Sequence, residues 1–296
     1  MPLSEEVTTN SFSITEETAE IRSCQLRLVK LFQAVCEKHG LRFWAEAGTL
    51  LGAARHQGYI PWDDDIDLVM MRDDFDRLVK IAGKEFRKPY VFQTPYTEKH
   101  YVRGHAQLRD MRTCAILPEE IYKDFNQGIF IDIFVLDFIP DNDRQREILQ
   151  WCAAFDKERL EIRNRPLKYF RDDREKLKLA LKYRLKYPLA WGRHRLYRRY
   201  EKRFRKVNPA ECANVSTAAW ISRSYLRPKE YYNETVQLDF EGMKLPAPKE
   251  WEKILELQYG KDWRIPKMVS TLHGEVIFDT ETPADIKIKE LRKASK

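Results

Sequence analysis

Three aspartates at alternating positions, Asp63, Asp65 and Asp67, follow a turn of small residues and lead into an apolar run. In an extended strand, residues two apart project from the same face, so Asp65 and Asp67 are expected to point the same way. Side-by-side carboxylates repel one another, and a hard divalent cation such as Mg²⁺ or Mn²⁺ offsets that repulsion. The spacing therefore predicts a metal site, and the alternative interpretation is a solvated acidic turn after Pro61.

The flanking residues favour the metal site over the solvated turn. The acids are followed directly by IDLVMM and preceded by GTLLGAAR, which is typical of a tight turn that opens a short helix. Gly48 lets the backbone come close to a ligand, Thr49 can cap the helix, and the exposed amides there attract phosphate oxygens. A phosphate-binding turn beside a pair of metal ligands indicates phosphoryl chemistry.

A third carboxylate, Asp132, lies in the middle of the apolar run GIFIDIFVLDFIP. The surrounding residues predict a buried strand, where an ionised side chain is costly unless something pairs with it. We interpret Asp132 as the acid that binds a second ion and accepts the proton of an attacking hydroxyl. The alternative is a carboxylate satisfied by an arginine or by backbone amides. Asp137 is expected to be a cap or turn residue where the strand ends.

Charge that builds up on a transferred phosphoryl group requires fixed cations, and Arg55 and Arg109 are candidates because a guanidinium grips two oxygens at once. Each has the alternative of a structural ion pair with a nearby aspartate. His56 is a candidate hydrogen-bond donor to phosphate, or else a partner of the local backbone. Trp62 is a candidate for stacking on a base or an alcohol, or else a core residue.

The elements that must position these residues follow an α/β pattern. Ser13 with Glu16 resembles a capping box that opens a long helix ending at Gly40. The predicted strands and helices of the first half are as follows: strands near 41–46, 66–70, 90–94, 105–110, 114–117 and 129–135, and helices near 49–55 and 73–82. A helical, strongly charged stretch begins near residue 141, and the last part combines a hairpin over 236–245 with a helix over 249–259.

This pattern predicts four parts. They are a disordered N-terminus (1–12), a catalytic core (13–140), a basic helical region (141–219) and a C-terminal part that packs on the core (220–296).

Four motifs taken in order resemble the LicD family. They are GTLLGAARHQGYIPWDDDID, an LRD followed closely by Thr113, GIFIDIFVLDFIP, and the late QYGKDWRIP. The resemblance spans roughly residues 20 to 275. The family includes phosphocholine transferases of bacterial surface glycans and is similar to fukutin and fukutin-related protein.

The resemblance implies a nucleotidyltransferase-like fold, with a mixed sheet, flanking helices and, in this chain, a basic helical insertion. It also implies transfer of phosphocholine or a polyol phosphate from a CDP-alcohol donor to a sugar hydroxyl, with release of CMP. The acceptor would be a surface glycan such as teichoic acid or lipopolysaccharide, or its lipid-linked precursor.

Carried over by position, the resemblance makes Asp65 and Asp67 the metal ligands and Asp132 the third acid, with two Mg²⁺ or Mn²⁺ ions. Gly48 and Thr49 correspond to the phosphate-binding turn. The other residues that fall on motif positions are Arg55, His56 and Trp62. Family members usually read YGDYM where this chain has the Tyr259 to Trp263 segment. The contributions of that segment and of His273 stay open.

Length, composition and the cysteine pattern indicate the cellular compartment of the chain. With 296 residues, 43% of them hydrophobic, it can bury a large core. Residues 1–12 lack the features of a secretory signal, and no apolar run has the length of a membrane span. The five cysteines are scattered without metal-ligand spacing, which favours free thiols in a reducing compartment over a zinc site. A cytoplasmic location is therefore expected.

Basic charge is concentrated in residues 157–206, which hold 20 Lys or Arg and 6 Asp or Glu. Their net charge of +14 leaves −7 for the remainder of the chain, since the total is +7. Basic helices with interspersed Leu, Tyr and Trp are typical of an anionic membrane surface, so we expect peripheral binding on the inner face of the membrane. The alternative is a pair of solvated helices that packs on the catalytic core.

A basic, aromatic-rich surface also raises a second class of function. This is a template-free nucleotidyltransferase that uses an NTP and acts on RNA or a small molecule. Nucleic acid is not expected as a partner, because no RNA-binding module is recognisable and the basic stretch lies apart from the acids in sequence.

Overall fold

The computed structural model describes residues 15–98, 100–170, 173–186, 190–217, 225–268 and 276–294. Within them the chain forms these helices: α1 (Glu16–His39), α2 (Ala47–His56), α3 (Arg72–Glu85), α4 (Asp143–Asn164), α5 (Arg174–Lys186), α6 (Ala190–Arg205), α7 (Trp251–Tyr259) and α8 (Ala284–Ala294). The cap of α1 is Thr15, whose side chain accepts from the Thr18 amide, and the helix ends at Gly40 in the left-handed conformation (φ 58°). The predicted capping residue Ser13 lies outside the described residues.

Eleven strands alternate with these helices in the part of the chain that the structure describes. They are β1 (Trp44–Ala45), β2 (Asp67–Met71), β3 (Tyr90–Gln93), β4 (Ala106–Asp110), β5 (Cys114–Ile116), β6 (Phe130–Ile139), β7 (Asn214–Thr217), β8 (Arg227–Pro228), β9 (Thr235–Phe240), β10 (Met243–Pro248) and β11 (Ile277–Asp279). The predicted mixed α/β class is confirmed.

Seven of the strands form one mixed sheet around β6. The order is β1-β2-β6-β4-β3, and β7 with β8 continues from the far half of β6. β2 runs parallel to β6, whereas β4 and β7 are antiparallel to it. Because β6 has strands on both sides, it is buried over most of its length, which explains its near-continuous apolar sequence.

Asp137 was expected where the strand ends, and that expectation is wrong. β6 continues to Ile139 because its far half pairs with β7, a strand that follows the whole basic helical region in sequence. Asp137 lies inside β6, buried, and its Oδ2 accepts from Arg72 of α3 at 2.6 Å.

The helices form two layers. α1, α2 and α3 pack on the sheet around a large apolar core that includes Leu28, Phe32 and Leu68. α4 and α6 pack on each other over a second cluster that includes Leu160 and Tyr197, and α5 packs on α4. In the described chain no helix combines the length and the hydropathy that crossing a bilayer requires.

Candidate active site

The structure brings the three predicted acids together at neighbouring strands. Asp67 is the first residue of β2, and it is paired in register with Asp132 on the parallel strand β6. Asp65 precedes β2 by two residues instead of lying on the strand as expected. Carboxylate oxygens of the three lie within 4.8 Å of one another. The pairing of two strands therefore joins acids that are far apart in sequence.

Burial makes the two strand acids unlike each other. The pKa of Asp67 is raised well above its ordinary value, chiefly by burial and further by the charges of Asp65 and Asp132. Burial also acts to raise the pKa of Asp132, but His105 and Arg103 outweigh it and hold the pKa below its ordinary value. The charged form is therefore favoured at Asp132, whereas burial and the neighbouring carboxylates oppose ionisation of Asp67. A bound cation would relieve that opposition.

His105 is a site residue that the sequence interpretation missed. Its Nε2 lies 3.1 Å from Asp132 Oδ1, and burial lowers its pKa although the Asp132 carboxylate acts to raise it. The available signal was a lone histidine at the head of a predicted strand. Only the antiparallel pairing of β4 with β6, which sets Gln107 opposite Asp132, shows that this histidine faces the acid.

The donor set fits a hard divalent cation. Asp132 Oδ1 is buried and has no aligned hydrogen-bond donor among the described residues. Oxygens on opposite sides of Mg²⁺ are about 4.2 Å apart, because each Mg–O distance is about 2.1 Å. The carboxylate oxygens of Asp65, Asp67 and Asp132 lie within 4.8 Å of one another, which is close to that span. Carboxylate oxygens are ligands that suit Mg²⁺ and Mn²⁺, whereas zinc is more often bound by cysteine and histidine.

The turn before α2 lies against the acids. Gly48 lines the same cleft, and a Cβ there would lie 2.4 Å from Asp63 Oδ2. Thr49 does not cap the helix, because α2 begins two residues earlier, at Ala47. Its hydroxyl instead accepts from the Asp67 amide at 2.8 Å. Thr49 therefore ties the helix start to the first residue of β2.

Two side chains of α1 hold the backbone of the acidic loop. Arg22 Nη2 donates to the carbonyl oxygens of Ile60 (3.1 Å), Pro61 (3.0 Å) and Asp63 (3.0 Å). Gln25 Nε2 donates to the next carbonyl, that of residue 64, at 2.7 Å. Both side chains are buried. The backbone of the loop that carries the acids is therefore held in place by α1, a helix that is distant from it in sequence.

A buried ion pair anchors the other end of this region. Glu46, the residue before α2, and Arg227 on β8 are each about 1% exposed and paired through both carboxylate oxygens. The Tyr232 hydroxyl also accepts from Arg227 at 2.6 Å, and Gln258 of α7 donates to Glu46. The C-terminal part of the chain thus reaches the start of α2. Nothing local in the sequence indicated this pairing.

The remaining predicted residues take different positions. Arg55 lines the cleft, and it donates to the Trp263 carbonyl (3.0 Å) and to His56 Nε2 (2.9 Å). His56 is not among the described residues that line the cleft, and its pKa is lowered by burial and by Arg55. Trp62 lines the cleft and is also packed on the core at its edge.

Arg109 is a second predicted residue that does not reach the cleft. It is about 1% exposed, and its guanidinium donates to Gln93 Oε1, Gln107 Oε1 and the Gly128 carbonyl, each at 2.6 Å. It is not among the described residues that line the cleft. Its partners are amides and a carbonyl, so they differ from the aspartate of the alternative interpretation. The geometry is that of a structural arginine.

The acids open into one cleft of about 1010 Å³. On one side it is lined by Tyr259 and Trp263, so the segment that departs from the family pattern does reach the site. Elsewhere Lys157 of α4 and Tyr200 of α6 line it. The basic helical region, distant from the acids in sequence, therefore contributes to the wall of the cleft. His273 lies outside the described residues.

The comparisons with known proteins agree with this geometry. Residues 40–165 match the family described as LicD/FKTN/FKRP, nucleotidyltransferase domain. The chain is similar to the lipopolysaccharide cholinephosphotransferase LicD of Haemophilus influenzae, with 26% identity over 251 residues that cover 81% of this chain and 89% of that protein.

Two further relatives match shorter segments. An uncharacterized protein of Rickettsia typhi is 48% identical over 120 residues, which cover 40% of this chain and 35% of that protein. The ribitol 5-phosphate transferase FKRP of Homo sapiens is 47% identical over 51 residues, which cover 17% of this chain and 10% of the human protein.

Proposed function

Because residues 40–165 match the LicD/FKTN/FKRP nucleotidyltransferase domain, we propose that this chain is a metal-dependent transferase that moves a phospho-alcohol from a CDP-alcohol to a sugar hydroxyl and releases CMP. The observation that carries the proposal is the convergence of Asp65, Asp67 and Asp132 at one cleft. The relatives named as a cholinephosphotransferase and a ribitol 5-phosphate transferase support phosphocholine or a polyol phosphate as the transferred group. We propose a surface glycan, such as lipopolysaccharide or teichoic acid, or its lipid-linked precursor, as the acceptor.

The size and lining of the cleft support two substrates bound together. Its volume of about 1010 Å³ lies at the upper end of the range of about 300–1,000 Å³ that is usual for one small ligand. Trp62 provides an aromatic surface on which a cytosine base or an alcohol can stack. Gly48, at the start of α2, lets a diphosphate approach the amides of the helix N-terminus.

In the proposed reaction, Asp65, Asp67 and Asp132 would hold the Mg²⁺ or Mn²⁺, which supplies charge neutralisation at the diphosphate and lowers the pKa of the acceptor hydroxyl. The acceptor oxygen forms a bond to the phosphorus that carries the alcohol, and the bond from that phosphorus to the CMP oxygen breaks. The hydroxyl proton passes to the Asp132 carboxylate. His105 Nε2, 3.1 Å from Asp132 Oδ1, is a second acceptor for the proton.

Product analysis tests this proposal. The purified protein should release CMP from CDP-choline or CDP-ribitol in the presence of Mg²⁺ or Mn²⁺ and a sugar acceptor. Asp67→Asn and Asp132→Asn should each lower the rate more than about 100-fold, which exceeds the usual loss for a residue that only supports a metal ligand. Asp239→Asn, on the exposed face of β9, is the matched control and should leave the rate unchanged. Pyrophosphate release from an NTP would favour the template-free nucleotidyltransferase instead. CMP release that survives both substitutions would contradict the metal site.

We also propose that the protein binds an anionic membrane through α5, on the cytoplasmic face. Leu181 and Leu185, one turn apart on α5, are 44% and 82% exposed, and lysines at 178, 182 and 186 flank them. Each basic residue near an anionic surface contributes about 1 kcal/mol. α5 packs on α4, whose Lys157 and Glu161 line the cleft, so a membrane contact there would bring a lipid-linked acceptor towards the acids.

Vesicle flotation tests the membrane contact. The protein should float with vesicles that contain phosphatidylglycerol and remain unbound with phosphatidylcholine alone, and 0.5 M salt should weaken the binding. A variant with Leu181→Glu and Leu185→Glu should lose it. Leu257→Glu, at a 41% exposed leucine on α7, is the control and should still float. Equal flotation of all three proteins, or no flotation of the wild type, would rule out α5 as the contact.

A further inference from the structure

Two cations on the wall of the cleft share a single carboxylate. Arg103 Nη2 donates to Glu120 Oε2 at 2.9 Å, and Lys123 Nζ donates to Glu120 Oε1 at 2.6 Å. All three line the cleft that contains the acids. Arg103 and Lys123 are about one-fifth exposed in their side chains, and Glu120 is buried. Arg103 and Lys123 therefore line the cleft together, and Glu120 is the carboxylate that both of them contact.

The charges of this cluster do not balance. Burial acts to raise the pKa of Glu120, but Arg103 and Lys123 lower it below its ordinary value, so the carboxylate is ionised. The pKa of Arg103 is raised, because Glu120 and nearby groups outweigh its burial. One negative and two positive charges leave a surplus of +1. A guanidinium has five N–H donors, and in the described chain Glu120 accepts from one of those of Arg103.

The cluster lies on the Asp132 side of the site. Arg103 is two residues before His105, which contacts Asp132 at 3.1 Å, and the charge of Arg103 helps to lower the Asp132 pKa. Gly48 and the start of α2 instead adjoin Asp63, in the loop that leads into β2. A surplus of positive charge that is only partly hydrated favours an anionic ligand, and phosphate oxygens match both the fork of arginine and the point charge of lysine.

We propose that Arg103 and Lys123 form a phosphate subsite, which binds a phosphate group of one of the two substrates beside Asp132. The subsite deepens the proposed transferase function and rests on it for the identity of the ligand. Two sources share the chemistry: the CMP half of the donor, and an acceptor whose sugar carries a phosphate, as a lipid-linked precursor does. Glu120 holds the two cations side by side and is not itself in contact with the phosphate.

Binding of two probes to charge variants tests the subsite without turnover. CMP and N-acetylglucosamine 1-phosphate are titrated by calorimetry in buffer with EDTA, so that no bound metal contributes to the result. Lys123→Gln should weaken binding of at least one probe about tenfold, as for loss of a hydrogen bond to a charged group. Lys123→Arg should bind nearly as the wild type. Glu120→Gln, which raises the local charge, should strengthen binding of the same probe.

Opposite effects of the two glutamine variants distinguish the subsite from a structural ion pair. If the cluster were only structural, Lys123→Gln and Glu120→Gln would both lower the unfolding temperature, and they would not shift the affinity for the probe in opposite directions. Lys249→Gln and Glu234→Gln break an exposed pair of the same kind (2.7 Å) beside the β9–β10 hairpin and should leave binding unchanged. The probe that responds identifies the source of the phosphate. Unchanged affinity for both probes in Lys123→Gln overturns the subsite, whereas CMP release from a CDP-alcohol is judged separately.

Discussion

Replacing Arg22 by Met tests whether α1 positions the acids. Arg22 is the buried residue whose Nη2 reaches three carbonyls of the acidic loop. Methionine fills a similar space and keeps the apolar contacts of the stem, so the change removes mainly the donors. The prediction is a fall in stability together with a larger fall in turnover, because the loop loses its attachment while the core remains packed.

The expected magnitude follows from the hydrogen bonds. The carbonyl of Ile60 also accepts from the Asp63 amide at 2.9 Å, so it keeps a partner when Arg22 is removed. The carbonyls of Pro61 and Asp63 each lose the Arg22 donor. A hydrogen bond from a charged donor contributes about 1.5–3 kcal/mol, and water can partly replace it at a loop, so we expect a loss of about 3 kcal/mol in the free energy of unfolding. The guanidinium also lies 4.5 Å from the Tyr59 ring, which adds about 0.5–1 kcal/mol.

Urea unfolding and CMP-release kinetics measure the two effects. Arg27→Met is the matched control, because Arg27 is exposed on the same helix and donates only to Ser23 and Cys24 in the described chain. It should change the free energy of unfolding by less than about 0.5 kcal/mol. In Arg22→Met the maximal rate should fall about 100-fold at a temperature where the protein is folded, as for a displacement of about 1 Å at a reacting group. Equal stability and equal turnover of the two variants would refute the positioning role.

Three further predictions concern other parts of the molecule. Gly48→Ala places a Cβ 2.4 Å from Asp63 Oδ2, so this carboxylate must rotate and the apparent affinity for the CDP-alcohol should fall, as measured by KM. Arg227→Met leaves the Glu46 carboxylate buried without its counter-ion and should cost about 3–5 kcal/mol in urea unfolding, with partial recovery when Glu46→Gln is added. Burial acts to raise the pKa of Asp279, but two backbone amides and a lysine lower it to about 2. Its contribution to stability is present above about pH 4 and disappears as the pH falls to about 2. The unfolding temperature of Asp279→Asn should therefore lie below that of the wild type at pH 7 and match it near pH 2.

Local sequence was sufficient for the acids and for most of the elements that carry them. Asp132 was singled out because an ionisable residue inside an apolar run is costly, and Asp65 and Asp67 because their alternating spacing puts them on one face; both arguments depend only on near neighbours. Hydrophobic patterning located β2, β3, β4 and α3 to within a few residues. It failed at the end of β6, because the pairing that extends this strand comes from β7, beyond three helices.

The residues that were missed act across long separations. Arg22 reaches the acidic loop from α1, and Arg227 reaches Glu46 from β8. Both are arginines in ordinary surroundings, and neither interrupts an apolar run. Their function in the fold appears only when the helix and the strand have been placed, since hydrogen bonds to residues distant in the chain leave no pattern in the sequence around the donor.

Arg109 and Arg103 show what alternation along a strand can and cannot predict. Arg109 lies two residues from Gln107, which is paired with Asp132, so the pleat puts Arg109 on the same face of the sheet as the acids. It is nevertheless enclosed there by Gln93 and the Gly128 carbonyl. Arg103 precedes β4, where no neighbouring strand covers it, and so it reaches the cleft. Alternation therefore selects a face, whereas the end of a strand decides whether a cation on that face can meet a ligand.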